Sequence, residues 1–516
     1  MADRGPLVHL DARAAAEARR RGQDPHELDR CIKLVLRSVY ASLPATPVVA
    51  AARLAALPGA DPSGEDRLSA LPFALLRDIA SRLPIKDAAR TAALSRRWRP
   101  VWRCSPLVFA DAHLLPGLRA PAGLRAATPG LVAAASRVLA AHPGPFRAVH
   151  LVFAHMDAHQ RQLARWARTL ADKGVQELVL VNRPSPLDVP LPAALLDAAA
   201  LTRLYLGVWR FPDTSALPRR AAPPFPHLRE LVLCCVVMEH RDLDFLLAGS
   251  PVLEALGILG SRNPLRLRLA GQRLRCVQVC VSYVESIAVV DAPNLERLFL
   301  SGAWTHNGSC IRVRIGKAPK LRLLGYLQPG VHMLEIRDTV ITAGIRASPS
   351  SMAPNVKILG LNVRFGVQND AKMLPVFLKC FRNVENLYIL SEKSKEVTSK
   401  LNLKFWQESG PIESMRSSIK AITFREFRGE QSELVFLKFF FQSAQVLKNA
   451  VIVTSNGAFK SIMEVISKVL ALAPAPGSWG SKCKLTVCEG KDPEGGGLWN
   501  FQTGFDFSVS DPFAYH

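Results

Sequence analysis

The sequence predicts an α/β protein in which a short helical unit is followed by a long solenoid of parallel strands and helices, closed by a small α+β module. Three observations predict this fold: helix patterns within residues 65–105, a nine-fold repeat of apolar strand signatures between residues 175 and 389, and alternating strand and helix patterns after residue 418. At 516 residues the chain is too long for one compact core, which agrees with an array of units.

Composition limits the class of protein. Apolar residues make up 49% of the chain, yet no run approaches the roughly 18 consecutive apolar residues of a membrane span, so we expect a soluble protein without a membrane partner. Acids and arginines stand between Asp11 and Arg21, where a secretory signal would be apolar. The ten cysteines form no paired CxxC units, which indicates free thiols in the nucleus or cytoplasm, without disulfides or structural zinc.

The charge is strongly positive and unevenly distributed. Of the net charge of +23, +21 lies in residues 1–390, where arginine far outnumbers lysine and Ala and Pro are abundant. A GC-rich coding region raises Ala, Arg, Pro and Gly together, and we favour this explanation over a selected nucleic-acid surface. A function as a basic scaffold that binds nucleic acid or polyphosphate stays open as an alternative, because such charge attracts phosphates.

The first 64 residues predict an extension with one amphipathic helix. Residues 25–40 place Leu28, Ile32, Leu36 and Tyr40 four apart on one face, and we expect this helix to dock on the body of the protein. The Pro- and Gly-rich residues 57–64 predict a linker.

Residues 65–105 predict three short helices. Pro72 suits a first helical position, an apolar stripe follows it, and Pro84 ends the first helix. Asp87 can cap the second helix, which Pro100 interrupts. A segment this short cannot enclose all its leucines and tryptophans, so some should stay exposed for a partner.

This segment resembles the F-box family. The pairs Leu71-Pro72 and Leu83-Pro84, the run from Leu94 to Arg99 and Trp102 occur in the family's order and spacing. The resemblance implies docking on a Skp-type adaptor and, through a cullin, membership of an SCF ubiquitin ligase. The alternative is that these side chains only fill a helical core. The adaptor contacts that the resemblance implies are Leu71, Pro72, Leu76, Ile79, Leu83, Leu94, Ser95 and Trp98.

A repeat of the form L-x-x-L-x-L dominates residues 130–400. Its first positions are residues 175, 201, 228, 253, 274, 295, 321, 356 and 384. This spacing is typical of leucine-rich repeats of roughly 20 to 29 residues, except for one insertion. Stacked repeats bury their leucines in a continuous core, with parallel strands along the inner face of a solenoid. Stretches such as residues 242–247 and 373–378 predict helices between the strands.

Strand alternation predicts which side chains line the inner face. Solenoids of this type bind partners there, and we expect an unidentified client protein to do so. Several inner positions, including Ala255, Gly257 and Leu323, are small or apolar, which indicates either contact with a partner or coverage by the protein's own segments. The candidate client-binding residues are Arg203, Tyr205, Glu230, Gln278, Arg297, Phe299, Asn386 and Tyr388.

The region after the repeats predicts strand, helix, strand, helix and strand in turn. The segments are residues 419–427, 434–444, 451–454, 459–472 and 483–487. Their order resembles the FBD module at the C-terminus of plant F-box proteins with leucine-rich repeats. We assign this module to residues 415–490, with a tail at 491–516, and expect it to close the end of the solenoid.

No motif predicts catalysis by this chain. His155 and His159 have the zincin spacing, but Met156 replaces the required glutamate. The glycines at 495–497 lack the following Lys and Ser or Thr of a phosphate loop. We therefore expect no catalytic residue, metal ligand or cofactor, and a function as the substrate-recognition subunit of an SCF-type ligase.

Overall fold

The computed structural model describes residues 15–16, 19–20, 22, 24–47, 68–115, 124–183, 187–217, 222–305, 308–342, 353–393, 402–472, 483–490 and 499–514. It divides into two compact units, Met1–Asn263 and Pro264–His516. The predicted linker at 57–64 lies outside the described residues. In the described part, no helix combines the length and hydropathy that crossing a bilayer requires.

The described residues before the first strand include the helices α1 (Pro25–Ser42), α2 (Phe73–Ser81), α3 (Ile85–Leu94) and α4 (Trp98–Cys104). Asp24 caps α1 by accepting a hydrogen bond from the backbone N–H of His26 at 2.9 Å. Pro72 and Pro84 occupy the N-cap positions of α2 and α3. The three helices predicted for residues 65–105 are confirmed, but their details differ: Pro72 is one residue earlier than expected, Asp87 lies inside α3 and does not cap it, and Pro100 lies within α4 and does not end the second helix.

Six parallel strands follow in the first unit: β1 (Leu107–Ala110), β2 (Phe146–Leu151), β3 (Glu177–Val181), β4 (Arg203–Gly207), β5 (Glu230–Cys234) and β6 (Ala255–Leu259). The connections include α5 (Leu124–Ala141), α6 (Gln160–Asp172) and α7 (His240–Ala248). Leu178, Leu204, Leu231 and Leu256 pair in register and are buried, which explains why each repeat requires leucine there.

The second unit contains a long parallel ladder. The first half of β8 (Cys276–Asp291) pairs with β9 (Arg297–Trp304), and the ladder continues through β11 (Leu323–Leu327), β14 (Ile358–Val363) and β15 (Asn386–Ser391). β16 (Ala421–Phe427), β17 (Asn449–Thr454) and β18 (Lys484–Glu489) extend it in the same direction. The predicted C-terminal module therefore adds further strands to the repeat ladder.

A second ladder replaces helices in part of this unit. It joins β7 (Leu265–Ala270), the second half of β8, β10 (Ile311–Lys317), β12 (His332–Ile336) and the short antiparallel β13 (Thr339–Val340). The sequence patterns predicted only helices between the repeat strands, so these strands were not predicted. The sequence does contain a signal for β7, because leucine and arginine alternate in it. In the structure the leucines are buried and the arginines between them are exposed, which is the alternation of a strand.

In the part of the second unit that the structure describes, the helices are α8 (Gln368–Cys380), α9 (Leu403–Gln407), α10 (Glu413–Ser417), α11 (Gln431–Ser443), α12 (Ile462–Leu470) and α13 (Phe501–Phe505). The predicted helix segments 373–378, 434–444 and 459–472 fall on α8, α11 and α12, as 242–247 falls on α7. Glu430 and Glu433 form a reciprocal capping box that starts α11. The α/β class, with helices before a parallel repeat sheet and a C-terminal α+β module, is confirmed.

Candidate binding surfaces

The helices α2 to α4 enclose a small core. Leu76, Ala80, Trp98 and Val101 are buried in it, and Leu71 and Ile79 pack against it. The indole Nε1 of Trp98 donates a hydrogen bond to Ser69 Oγ at 3.0 Å. The Arg97 guanidinium donates to the carbonyl oxygen of Leu71 at 2.7 Å. The segment that precedes α2 is therefore held against α4.

Large apolar side chains are exposed near the start of α2. Leu68, Phe73 and Leu75 are 52%, 44% and 50% exposed, and Pro72 is exposed beside them. These side chains surround the start of α2, while Leu76 on the same helix points into the core. A small helical unit with a filled core and three exposed large apolar side chains has the character of a docking surface.

The predicted adaptor contacts divide into three groups. Pro72 is exposed, whereas Leu71, Ile79, Leu83 and Ser95 are half-buried. Leu76 and Trp98 are core residues in this chain, so their side chains support the surface and do not form it. The side chain of Leu94 lies outside the described residues.

Three exposed residues were absent from the predicted contacts. These are Leu68, Phe73 and Leu75, which flank the Leu71-Pro72 pair. Large apolar residues next to a helix start are a sequence signal for an exposed contact. Sequence periodicity, however, does not show which leucine of the adjacent pair Leu75 and Leu76 faces outward.

In the first unit, α1 covers part of the inner strand face. The hydroxyl of Tyr205 on β4 lies 2.8 Å from Ser42 Oγ and donates a hydrogen bond to the carbonyl oxygen of Val39 at 3.2 Å. Tyr205 is 1% exposed, and Leu36 and Val39 on α1 are equally buried. Tyr205 is therefore covered by the chain's own helix, and the predicted docking of this helix is confirmed.

Next to this covered region, ionic side chains form a ladder across four strands. His150 Nε2 lies 2.6 Å from Glu177 Oε1, and Arg203 bridges Glu177 at 3.1 Å and Glu230 at 3.0 Å. Burial favours the neutral acid at Glu177, but His150 and Arg203 outweigh it and lower the pKa of that carboxyl. At Glu230, burial prevails over Arg203 and raises the pKa. Of the predicted client contacts, Arg203 and Glu230 thus bind each other.

In the second unit, residues 499–514 lie on the inner face of the ladder, and polar side chains of the strands hold their backbone. Gln278 on β8 donates to the carbonyl oxygen of Phe501 at 3.0 Å and accepts from the Trp499 indole at 2.7 Å. Arg297 on β9 donates to the carbonyl oxygens of residues 504, 506 and 509, at 2.9, 3.0 and 2.5 Å. Arg297 is 6% exposed and Gln278 is fully buried.

The side chains of the same segment enter an aromatic pocket. Phe513 is fully buried, and its ring centroid lies 5.4 Å from Phe299, 4.9 Å from Tyr326 and 5.3 Å from Tyr388. Trp499 stacks on Phe299 with centroids 4.9 Å apart. The segment therefore buries large aromatic surface, which is a major contribution to its attachment.

An acidic anchor lies beside this pocket. The Asp511 Oδ2 atom accepts hydrogen bonds from Asn386 Nδ2 at 2.5 Å and from the Tyr388 hydroxyl at 2.8 Å, both on β15. Burial and the neighbouring Asp511 carboxylate raise the pKa of Tyr388, so its hydroxyl keeps the proton it donates. The five predicted client contacts of the second unit, all occupied by the chain's own C-terminal segment, are Gln278, Arg297, Phe299, Asn386 and Tyr388.

A polar groove of about 610 Å³ lies where the strands of the second unit begin. Lys320, Arg322, Lys357 and Lys420 line it together with two glutamates. Glu385, one of these glutamates, binds Lys357 at 2.9 Å and Lys420 at 2.7 Å. Internal pairing therefore removes much of the groove's positive charge.

No metal centre accompanies these surfaces in the described residues, where no three His, Cys, Asp or Glu side chains are grouped so as to hold an ion. This includes the vicinity of His155 and His159. The glycines at 495–497 lie outside the described residues.

Family models match three regions of the chain in succession. An F-box domain model matches residues 68–109, a model described as "FBD-associated F-box protein At5g56370, LRR repeats" matches 163–389, and an FBD model matches 407–452. These matches coincide with the helical unit, the repeat strands and the start of the C-terminal strands. The chain carries an F-box, leucine-rich repeats and an FBD in that order.

The chain is similar to Arabidopsis thaliana proteins whose names include F-box and LRR-repeat. The chain is 23% identical to the F-box/FBD/LRR-repeat protein At1g13570 over 437 residues, which cover 78% of this chain and 95% of that protein. It is 24% identical to F-box/LRR-repeat protein 13, covering 79% and 94%. A shorter match, 31% identical, to F-box/LRR-repeat protein At3g59200 covers 38% of this chain and 36% of that protein. The chain is thus similar to F-box/FBD/LRR-repeat proteins along most of its length.

Proposed function

We propose that this protein is the substrate-recognition subunit of an SCF-type ubiquitin ligase. Residues 65–105 dock on a Skp-type adaptor, which connects them to a cullin, and the repeats at 130–400 with the FBD at 415–490 recruit a client protein. The chain contributes no catalytic group; it raises the local concentration of the client near the conjugating enzyme. The proposed compartment is the nucleus or the cytoplasm, where that machinery works.

The observation that carries this proposal is the exposed apolar surface around the start of α2. Leu68, Phe73 and Leu75 are each about half exposed, although the core beneath them is complete. Complete burial of such a side chain contributes roughly 1.5–3 kcal/mol, so covering the half that is exposed contributes about half of that for each residue. Together with Pro72 and the half-buried Leu71, these three side chains offer apolar surface that an adaptor can cover.

The test is co-purification of the full chain with a Skp-type adaptor. Leu75→Glu places a charge on the proposed surface, and we expect at least a tenfold loss of affinity because desolvating one unpaired carboxylate costs several kcal/mol. The matched control is Leu34→Glu, since Leu34 on α1 is 53% exposed and Leu75 is 50% exposed. Wild-type affinity in Leu75→Glu, or equal losses in both variants, would refute the docking assignment.

The alternative, a basic scaffold for nucleic acid or polyphosphate, receives less support. The polar groove of the second unit brings three lysines together, and Glu385 already pairs with two of them. A sub-micromolar affinity for RNA that falls steeply with salt would favour this alternative over the ligase function.

A further inference from the structure

The C-terminal segment has the features of a bound peptide. Residues 499–514 contain one short helix and turns but no strand, so they add nothing to the hydrogen-bonded ladder on which they lie. The ladder contacts them through side chains, in particular Gln278, Arg297 and Asn386. A segment held in this way can leave without breaking a strand pair.

Part of this contact recognises backbone of any sequence. Arg297 directs its guanidinium to three carbonyl oxygens within six residues of the segment, at distances of 2.5–3.0 Å. Several hydrogen bonds from one buried cation fix the path of a peptide without selecting its side chains. Gly504 supports this path, because a Cβ atom there would lie 2.6 Å from the Gln278 amide.

The remaining contacts select particular side chains. The pocket formed by Phe299, Tyr326 and Tyr388 encloses the ring of Phe513, and the two donors on β15 bind the carboxylate of Asp511. These two sites are two residues apart along the segment. The pattern that they recognise is Asp-x-Phe, with an aromatic residue further towards the N-terminus in the place of Trp499.

Charge complements this pattern. The described segment has two acidic residues, Asp506 and Asp511, and no basic one. The strands present Arg297, which hydrogen-bonds the segment, and Arg425, whose guanidinium lies 3.5 Å from the carbonyl oxygen of Phe513. An acidic peptide with aromatic anchors is therefore the occupant that this face fits.

We propose that the inner face of the second unit is a peptide-binding groove, that residues 499–514 are its resident ligand, and that the client presents an acidic segment with the Asp-x-Phe pattern that displaces them. The proposal rests on the client-recruiting function proposed above and names the chemistry of the client. It also makes the C-terminal segment an internal competitor, so client affinity depends on how firmly the segment is held.

The experiment uses the full chain with a site-specific protease sequence introduced within residues 491–498. After cleavage, residues 499–514 stay bound only through the contacts described above. A fluorescently labelled synthetic peptide of residues 499–514 is then added, and its binding is followed by anisotropy while near-ultraviolet circular dichroism reports the fold. We expect the labelled peptide to exchange into the groove with the fold retained.

Competition by unlabelled peptides tests the recognised pattern. Phe513→Ala should weaken competition more than about 100-fold, because truncating a fully buried Phe has a large cost. Asp511→Ala should weaken it at least about tenfold, because it removes two charge-assisted hydrogen bonds. Ser510→Ala, at an exposed position, is the control and should compete like the unaltered peptide.

A second measurement uses uncleaved protein. The full chain with Asp511→Ala should bind the labelled peptide more tightly than the wild-type chain does, since its own segment competes less. Exchange only under unfolding conditions, or equal competition by the Phe513→Ala and Ser510→Ala peptides, would overturn the proposal and make the segment a fixed part of the fold. Adaptor co-purification of the same proteins separates the two hypotheses, because peptide exchange does not require the F-box.

Discussion

The docking of α1 on the repeat strands gives a sharp quantitative prediction. Leu36 is 1% exposed on the face of α1 that also buries Ile32 and Val39, whereas Leu34 on the same helix is 53% exposed. Leu36→Ala and Leu34→Ala therefore make the same chemical change in one helix, with similar effects on helix propensity. They differ in whether the removed atoms lie against the rest of the unit.

The expected cost follows from burial. Replacing a buried Leu by Ala typically costs about 2–5 kcal/mol, because transfer energy is lost and a cavity remains. If the substitution lowers the free energy of undocking α1 by about 3 kcal/mol, the equilibrium constant for local opening rises roughly 100-fold, since a factor of ten corresponds to about 1.4 kcal/mol. Leu34→Ala should change it less than about threefold, as expected for a surface substitution.

Hydrogen exchange followed by mass spectrometry measures this opening in the intact chain. Backbone amides of α1 should exchange about 100-fold faster in Leu36→Ala than in wild type, while those of β2 and β3 change little. Equal exchange in the Leu36→Ala and Leu34→Ala variants would show that α1 is not held on the strands. Acceleration throughout the first unit would instead show that α1 and the strands open together.

Two buried ionisable groups predict opposite dependences of stability on pH. Burial raises the pKa of Asp111 to about 6, although its carboxylate accepts hydrogen bonds from the Val152 and Phe153 N–H groups at 2.8 Å. The unfolded state therefore loses this proton first, and the free energy of unfolding should fall by about 3 kcal/mol as pH rises from 4 to 6. Calorimetry of Asp111→Asn, which keeps an acceptor, should lack this decrease; the same slope in the variant would contradict the assignment. Burial lowers the pKa of His332 to about 4, and its Nδ1 accepts from the Gln328 N–H at 2.9 Å. The unfolded state then takes up a proton first as pH falls from 6.5 to 4, which should cost about 3 kcal/mol in wild type and be absent in His332→Asn. An unchanged acid transition in that variant would show that another group is responsible.

Local sequence patterns were sufficient to predict most of the fold. All nine L-x-x-L-x-L segments became strands or strand starts, because alternating apolar residues have one stable arrangement in a stacked parallel ladder. Prolines at 72 and 84 set the starts of α2 and α3 because they lack the N–H that a helix interior requires. The strands β7, β10 and β12 were not predicted, because they lie between the L-x-x-L-x-L segments, although their residues alternate between buried and more exposed positions.

The binding surfaces were less accessible to sequence reasoning. Alternation identified the inner-face residues, but it does not show what covers them. Tyr205 meets Ser42 across 163 residues, and Gln278 meets Phe501 across 223. Such contacts depend on where the whole ladder places two distant segments. In α2, too, the sequence did not show which leucine is buried. The structure shows that Leu76 faces the core and Leu75 faces outward.

The amino-acid sequence by itself determined the three short helices of residues 65–105, the repeat strands and the similarity to F-box/FBD/LRR-repeat proteins, since each depends on residues that are near neighbours in the chain. Only the tertiary structure decided that part of the inner face is covered by α1 in the first unit and by residues 499–514 in the second. The physical reason is that periodicity within a segment specifies which face is apolar. Which other segment covers that face depends on packing between parts of the chain that are far apart in sequence.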